Sequence, residues 1–164
     1  MAIVKLMCAR FDGVVYLTSR DEARGRAAVE QLKELGCNPR FHQLDIDDDA
    51  SIIRFRDHLK TSYGGLDVLV NNAGVLLERE NTGMPFAVKA SRTLRTNFFS
   101  LVIVCDLLFP LLRPHARVVN VASSCGHLTH IKGQELAAVK LRNKLASPDL
   151  TKEELNALVR GFVE

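Results

Sequence analysis

Long apolar runs are absent from this sequence. The longest, Leu101-Val102-Ile103-Val104-Cys105, meets Asp106 and then Pro110, whereas crossing a bilayer takes about 20 apolar residues. The opening residues, Met1 to Cys8, form too short an apolar run for a secretory signal and are interrupted by Lys5. Together these absences predict a soluble chain with no membrane role. Cysteines number four (Cys8, Cys37, Cys105, Cys125), with no Cys-x-x-Cys pair and no histidine at a zinc-like spacing from them. That leaves a reduced, cytoplasmic protein with four incidental thiols. A charge excess is also lacking. The net charge is +3, and lysines and arginines are scattered, which excludes a dedicated nucleic-acid surface but suits a phosphorylated small molecule. The acidic run Asp45-Ile46-Asp47-Asp48-Asp49 lacks the glycine and distal glutamate of a calcium loop. It reads as a solvated, helix-capping turn, and no metal site is expected. The five histidines (His42, His58, His115, His127, His130) are spread along the chain and read as surface or strand-edge residues. No internal repeat and no low-complexity segment occurs.

What the chain does have is one domain's length, 164 residues, of which 47% are hydrophobic and 25% charged. Ala2 to Arg10 reads as a short helix with Ile3, Leu6 and Met7 on one face. Asp12-Gly13 turns the chain into a buried strand, Val14 to Thr18. A long helix follows from about Glu22 to Leu35, capped by Ser19 or Asp21 and stopped by Gly36, with Ala28, Leu32 and Leu35 as its stripe. A second strand runs from Arg40 to Ile46. The helix near Ala50 to Ser62 shows Ile52, Phe55, Leu59 and Tyr63 at helical spacing, and Gly64-Gly65 releases it. Leu66-Asp67-Val68-Leu69-Val70 is then a buried strand ending in Asn71-Asn72-Ala73-Gly74. A loop with Asn81, Gly83 and Pro85 leads to a helical stretch from Phe86 to Leu112, bent near Asn97. Arg117 to Ala122 is a fourth strand, running into Ser123-Ser124-Cys125-Gly126. From Lys132 onward the pattern is helical only, with Thr151-Lys152-Glu153-Glu154 as a capping box before Leu155, Leu158, Val159 and Phe162. Strands alternating with helices at these lengths predict an α/β fold, a doubly wound sheet of parallel strands.

Four features then stand in a telling order. They are Thr18-Ser19-Arg20 after a strand, Leu44-Asp45 after the next, Asn71-Asn72-Ala73-Gly74, and Asn120-Val121-Ala122-Ser123. Between the last two lies Arg95-Thr96-Asn97-Phe98-Phe99. In this order they resemble the short-chain dehydrogenase/reductase family. Arg40 to Asp48 and Tyr63 to Val70 look like that family's animal NADPH-dependent carbonyl reductases. The likeness covers essentially the whole chain. It implies a Rossmann-like core over residues 1–126 and a helical insertion over 127–164, within a single partial domain.

The resemblance also assigns candidate roles. An acidic residue at the end of the first strand seen here would accept from a ribose 2′-hydroxyl, while an arginine favours a 2′-phosphate. Arg20 fills that position and Arg24 lies a turn further on, so NADPH is the expected cofactor; both are equally readable as solvated helix residues pairing with Asp21 or Glu22. Asp45 would accept from the adenine amino group, or else caps the next helix. Asn72, Ala73 and Gly74 let the backbone pass close to ribose and nicotinamide, and as a bare tetrapeptide make an Asn/Gly turn. Ser123, first in Ser-x-x-Gly with Gly126, would hydrogen-bond a substrate carbonyl and stabilise charge on its oxygen; Ser124 is a spare hydroxyl, or both belong to a simple loop. Asn97, a poor mid-helix residue, would hold a water that relays protons, or marks a bend satisfied by solvent.

Two parts of the family pattern are missing from these residues. No Thr-Gly-x-x-x-Gly-x-Gly turn precedes the Ala2 helix to hold a pyrophosphate. No Tyr-x-x-x-Lys follows the helical insertion, and the only tyrosines are Tyr16 and Tyr63. Carbonyl reduction needs hydride from the nicotinamide and a proton for the alkoxide, which the family's tyrosine gives with the neighbouring lysine's help. Ser123 and Asn97 alone orient without supplying that proton. The sheet is likewise expected to lack its first strand and its last ones. The resemblance therefore implies reduction of quinones, aldehydes and ketones, with the chain as it stands inactive alone. The alternative is a non-catalytic short form serving as a nucleotide-binding or regulatory module. The extra helices cover the surface other family members use to assemble, which implies a monomer.

Overall fold

The computed structural model describes residues 1–77 and 83–162. Asn81, placed by the sequence in a loop, lies outside them. Tyr16–Ser19 forms β1 and Arg40–Gln43 forms β2, paired in parallel with Tyr16 opposite Arg40 and Ser19 opposite Gln43. Between them runs the helix Glu22–Glu34 (α2), packed on both strands. Asp21 caps it by accepting from the Arg24 N–H at 2.8 Å. Gly36, at φ +78°, turns the chain out of it through a conformation that other residues resist. Helix α1 (Ala2–Arg10) precedes β1. The helix Asp49–Tyr63 (α3) is capped by Asp48 and ends on the left-handed Gly64, at φ +67°.

Leu66–Asn71 (β3) and Leu112–Asn120 (β4) make a second two-stranded sheet. Their C-terminal ends meet, since Val121 N–H donates to the Asn71 carbonyl at 2.9 Å. Among the described residues no pairing joins the two sheets. The helical run between β3 and β4 comprises α4 (Phe86–Leu94), a π-helical turn at Arg95–Ser100, α5 (Leu101–Leu108) and a 3₁₀ turn at Phe109–Leu111. The bend expected near Asn97 is that π turn, where one extra residue per turn widens the helix. Helices α6 (Leu136–Leu145) and α7 (Lys152–Arg160) follow, and Thr151 and Glu154 form the capping box the sequence spelled out.

The chain divides into two compact units. The first comprises Met1–Val68 with Ser100–Arg117. One part of its core is Leu17, Val29 and Leu32, with Val4, Ala28, Cys37 and Phe41 packed around them. In another part Ile52, Phe55 and Leu59 of α3 and Val104 and Leu108 of α5 are buried, with α3 packed on α5. Burying side chains of this size contributes about 1.5–3 kcal/mol each. The second unit comprises Leu69–Phe99 with Val118–Glu164.

Several expectations need correction. Ile3 and Leu6 are exposed, and α1 instead turns Val4 inward. Leu35 is 58% exposed, and the inward stripe of α2 is Gly25, Val29 and Leu32. Gly25 belongs there because a Cβ would come within 2.1 Å of the Phe41 ring. The strands are less buried than predicted: β1 buries only Leu17, and β3 has no fully buried residue. Among the described residues each strand has one pairing neighbour, and its other edge is unpaired. β2 stops at Gln43 rather than Ile46, because Asp45 turns the chain. Phe162, counted in an apolar stripe, is 67% exposed. The helix Phe86–Leu111 contains an 18-residue stretch of mean hydropathy 1.6 and, by length and composition alone, is long enough to cross a membrane. The five-residue run considered from sequence understated it. Within the first unit its α5 portion is nevertheless a core helix, with Val104 and Leu108 buried.

Candidate nucleotide and carbonyl site

The first unit brings the ends of β1 and β2 side by side. Leu44 N–H donates to the Ser19 carbonyl at 2.9 Å, and the Gln43 amide donates to the Arg20 carbonyl at 3.1 Å. Arg20 and Asp45 therefore sit at the C-terminal ends of adjacent parallel strands, where ligands bind in open α/β sheets. Asp45 is held in place: its carboxylate accepts from Asp47 N–H at 3.0 Å, and its own N–H donates to the Ser51 hydroxyl at 3.0 Å. Ser51 is fully buried and donates to Gln43 Oε1 at 3.1 Å. Ser100 donates to Asp47 at 2.6 Å. Capping of α3 falls to Asp48, not Asp45.

Arg20 is exposed. Arg24 pairs with Asp21 at 3.2 Å with its side chain 73% exposed. The Asp21 carboxyl is held below its ordinary range, chiefly by the hydrogen bond from the Arg24 backbone.

The second unit builds its own cluster. Asn71 donates to the Asn120 side chain at 2.9 Å, tying β3 to β4 at the point where both strands end. Asn97 Oδ1 accepts from Val75 N–H at 2.8 Å and its Nδ2 donates to the Val75 carbonyl at 2.8 Å. The carboxamide thus braces the turn after Asn72-Ala73-Gly74, replacing the solvent-satisfied bend the sequence allowed. A Cβ on Gly74 would stand 3.3 Å from Asn97 Oδ1, so glycine gives this loop its close approach. Asn72, Ala73 and Gly74 are exposed. Ser123 caps a 3₁₀ turn over Ser124–Gly126 by accepting from Cys125 N–H at 3.1 Å. The bond uses a lone pair and leaves its O–H proton to donate.

Sequence reasoning missed Gln43, Ser51 and Ser100, whose hydroxyls and amide fix the Asp45 loop. The only signal for Ser51 and Ser100 was a small polar residue at a position a helix face would bury; Gln43, at the end of β2, gave none. Sequence reasoning also gave no sign that two histidines share an aromatic cluster, His42 on the edge strand β2 and His58 on α3. His58 and His42 are half-buried, their rings 4.9 Å apart. Arg40 donates to the Tyr63 hydroxyl at 2.6 Å, Tyr63 and Tyr16 hydroxyls lie 2.9 Å apart, and Tyr16 meets His58 Nε2 at 2.8 Å. Burial, then His42 and Arg40, lower the His58 pKa, and burial first of all raises that of Tyr16. Tyr16 opens β1 and Arg20 follows its end, so the tyrosines gather at the opposite end of the strand from the Arg20 side, about 10 Å away at the rise of a β-strand.

The donor set at the β1 end fits a nucleotide carrying a 2′-phosphate: an exposed guanidinium at a strand end beside a fixed carboxylate. Among the described residues no group of three histidine, cysteine or acidic side chains could hold a metal.

A sequence model described as short chain dehydrogenase matches residues 2–154. The chain belongs to that family. Among curated relatives, it is 49% identical to "Carbonyl reductase [NADPH] 1" of Bos taurus over 162 residues. It is 47% identical to "Carbonyl reductase [NADPH] 3" of Homo sapiens over 164 residues. The alignments take in 99% and 100% of this chain but 57% of each relative, so the chain spans little more than half their length. Of solved structures, salutaridine reductase from Papaver somniferum is similar over 98% of this chain and 64% of its own, at TM-score 0.80 and 30% identity. Menthone neomenthol reductase from Mentha piperita is similar over 98% and 67%, at TM-score 0.79 and 27% identity. The Rossmann-like α/β fold follows.

Proposed function

We propose that these residues serve the NADPH-dependent reduction of carbonyl compounds, with quinones, aldehydes and ketones as the substrate class. The observation that carries this reading is Arg20 beside the fixed Asp45 at adjacent strand ends. The names of the relatives support it. When bound, NADPH supplies hydride. Arg20 pairs with its 2′-phosphate, with Arg24 a secondary cation, and Asp45 accepts from the adenine amino group. Asn72, Ala73 and Gly74 form the backbone wall against ribose and nicotinamide, steadied by Asn97 through Val75. Ser123 donates its hydroxyl proton to the substrate oxygen and stabilises the charge growing there. Asn97 holds a proton-relaying water beside the loop it braces.

Residues 127–164 serve as a helical insertion on the Rossmann-like core of one domain. We read the protein as monomeric and cytoplasmic without a membrane role. The burial of Val104 and Leu108 in the first unit supports the last point, and light scattering tests the first.

The test is NADPH oxidation with a quinone, using the protein as it is expressed in its cells. Ser123→Ala should lower kcat about 10²-fold or more, as loss of an oxyanion donor does. Unchanged turnover would refute the assignment of Ser123.

A further inference from the structure

Two thiols outside this site flank the first core cluster. Cys8 lies on the last turn of α1, one helical turn beyond Val4 and so on the same face. Val4 packs on Leu17, Val29 and Leu32. Cys37 packs on the same three residues, placed there by the left-handed Gly36 and by its N–H donating to the Leu32 carbonyl at 3.0 Å. Burial and then the Cys37 thiol raise the Cys8 thiol's pKa, against the Asn38 backbone, so the two thiols act on one another. Both thiols are free and half-buried, so each is reachable from solvent. Of the other two, Cys125 is exposed, and Cys105 lies on α5.

We infer that Cys8 and Cys37 form a reversible redox-modification site, closing to an intramolecular disulfide that staples α1 to the α2–β2 connection when a peroxide is the oxidant. One thiolate attacks the peroxide, taking one oxygen as a sulfenic acid and releasing water. The second thiol then attacks that sulfur, forming the S–S bond and expelling the oxygen as a second water. Two thiols are oxidised and one peroxide is reduced. A low-molecular-weight thiol reverses the bond by exchange. Burial and the neighbouring Cys37 raise the Cys8 thiol pKa, so closure should accelerate as pH rises above neutral, where thiolate becomes available. The staple would tie the helix before β1 to the turn after α2 without touching Arg20, Asp45 or Ser123.

The test treats the 164-residue chain with hydrogen peroxide, blocks remaining thiols with an alkylating reagent, and maps peptides by mass spectrometry without reduction. The expected result is loss of two of the four titratable thiols, with Cys8 and Cys37 peptides recovered as one cross-linked species that dithiothreitol separates. Cys8→Ser should abolish that species. Because Cys37 packs on the core, the unmutated map and Cys8→Ser carry the test rather than a Cys37 variant. Recovery of Cys8 and Cys37 as separately alkylated or over-oxidised residues, or a dominant cross-link to Cys105 or Cys125, would overturn it.

Discussion

Asn97 grips Val75 by both of that residue's backbone polar groups, accepting from its N–H and donating to its carbonyl at 2.8 Å each. The side chain of a π turn thereby fixes the loop that follows β3. Asn97→Ala should destabilise the second unit by about 1–3 kcal/mol, the worth of two net hydrogen bonds. Asn97→Asp keeps the acceptor for the Val75 N–H but sets a carboxylate oxygen against the Val75 carbonyl, so it too should destabilise. Denaturant unfolding measures the loss, and hydrogen exchange should show the Val75 amide losing protection in Asn97→Ala.

Gly25 faces the Phe41 ring where a Cβ would come within 2.1 Å. In an exposed helix Gly→Ala stabilises by about 1 kcal/mol. Here Gly25→Ala should instead destabilise, because the ring must leave its place against Leu17, Val29 and Leu32. A rise in the unfolding midpoint would show that the ring moves at no cost.

Acidification acts on His58, whose pKa is lowered in the fold, first by burial. Its stabilising contribution is complete above the unfolded value, about 6.5. It drains away as pH falls from there through the folded value, since the unfolded chain binds the proton more readily. Tyr16 works the other way. Its raised pKa makes stability fall as pH climbs past about 10. Unfolding midpoints across pH should drop at both ends, and His58→Gln should flatten the acid limb alone.

Arg20 is the residue on which cofactor preference is proposed to rest. Arg20→Ala should weaken NADPH about 10- to 100-fold relative to NADH, the loss of one charge-assisted contact of about 1.5–3 kcal/mol. Arg24→Ala should do less, since its guanidinium already faces Asp21. Steady-state KM values for the two cofactors, in the protein as expressed, decide between them.

Local signals were legible in the sequence. Asp21 as a cap, Gly36 and Gly64 as stops, and the Thr151–Glu154 capping box depend on residues within a turn of each other. The order of strands and helices followed from their spacing. Which face of a helix turns inward was harder. Ile3 and Leu6 are as apolar as Val4, but the position of the Leu17–Val29–Leu32 cluster selects the face. Contacts between distant residues left no trace: Asn71 and Asn120 are 49 positions apart, Asn97 and Val75 are 22, and Tyr16 and Tyr63 are 47. For that reason the sequence did not reveal the aromatic cluster around His58, nor that the Asn97 side chain braces Val75.

The most direct measurement is calorimetric titration of the 164-residue polypeptide with NADPH, with circular dichroism on the same sample. Arg20 and Asp45 are proposed to hold the 2′-phosphate and adenine of NADPH, whose pyrophosphate needs a glycine-rich turn these residues do not contain. The expected result is an α/β spectrum and no saturable binding. Tight, saturable binding by the same folded sample would contradict it, and binding without turnover would make a nucleotide-binding module the better reading.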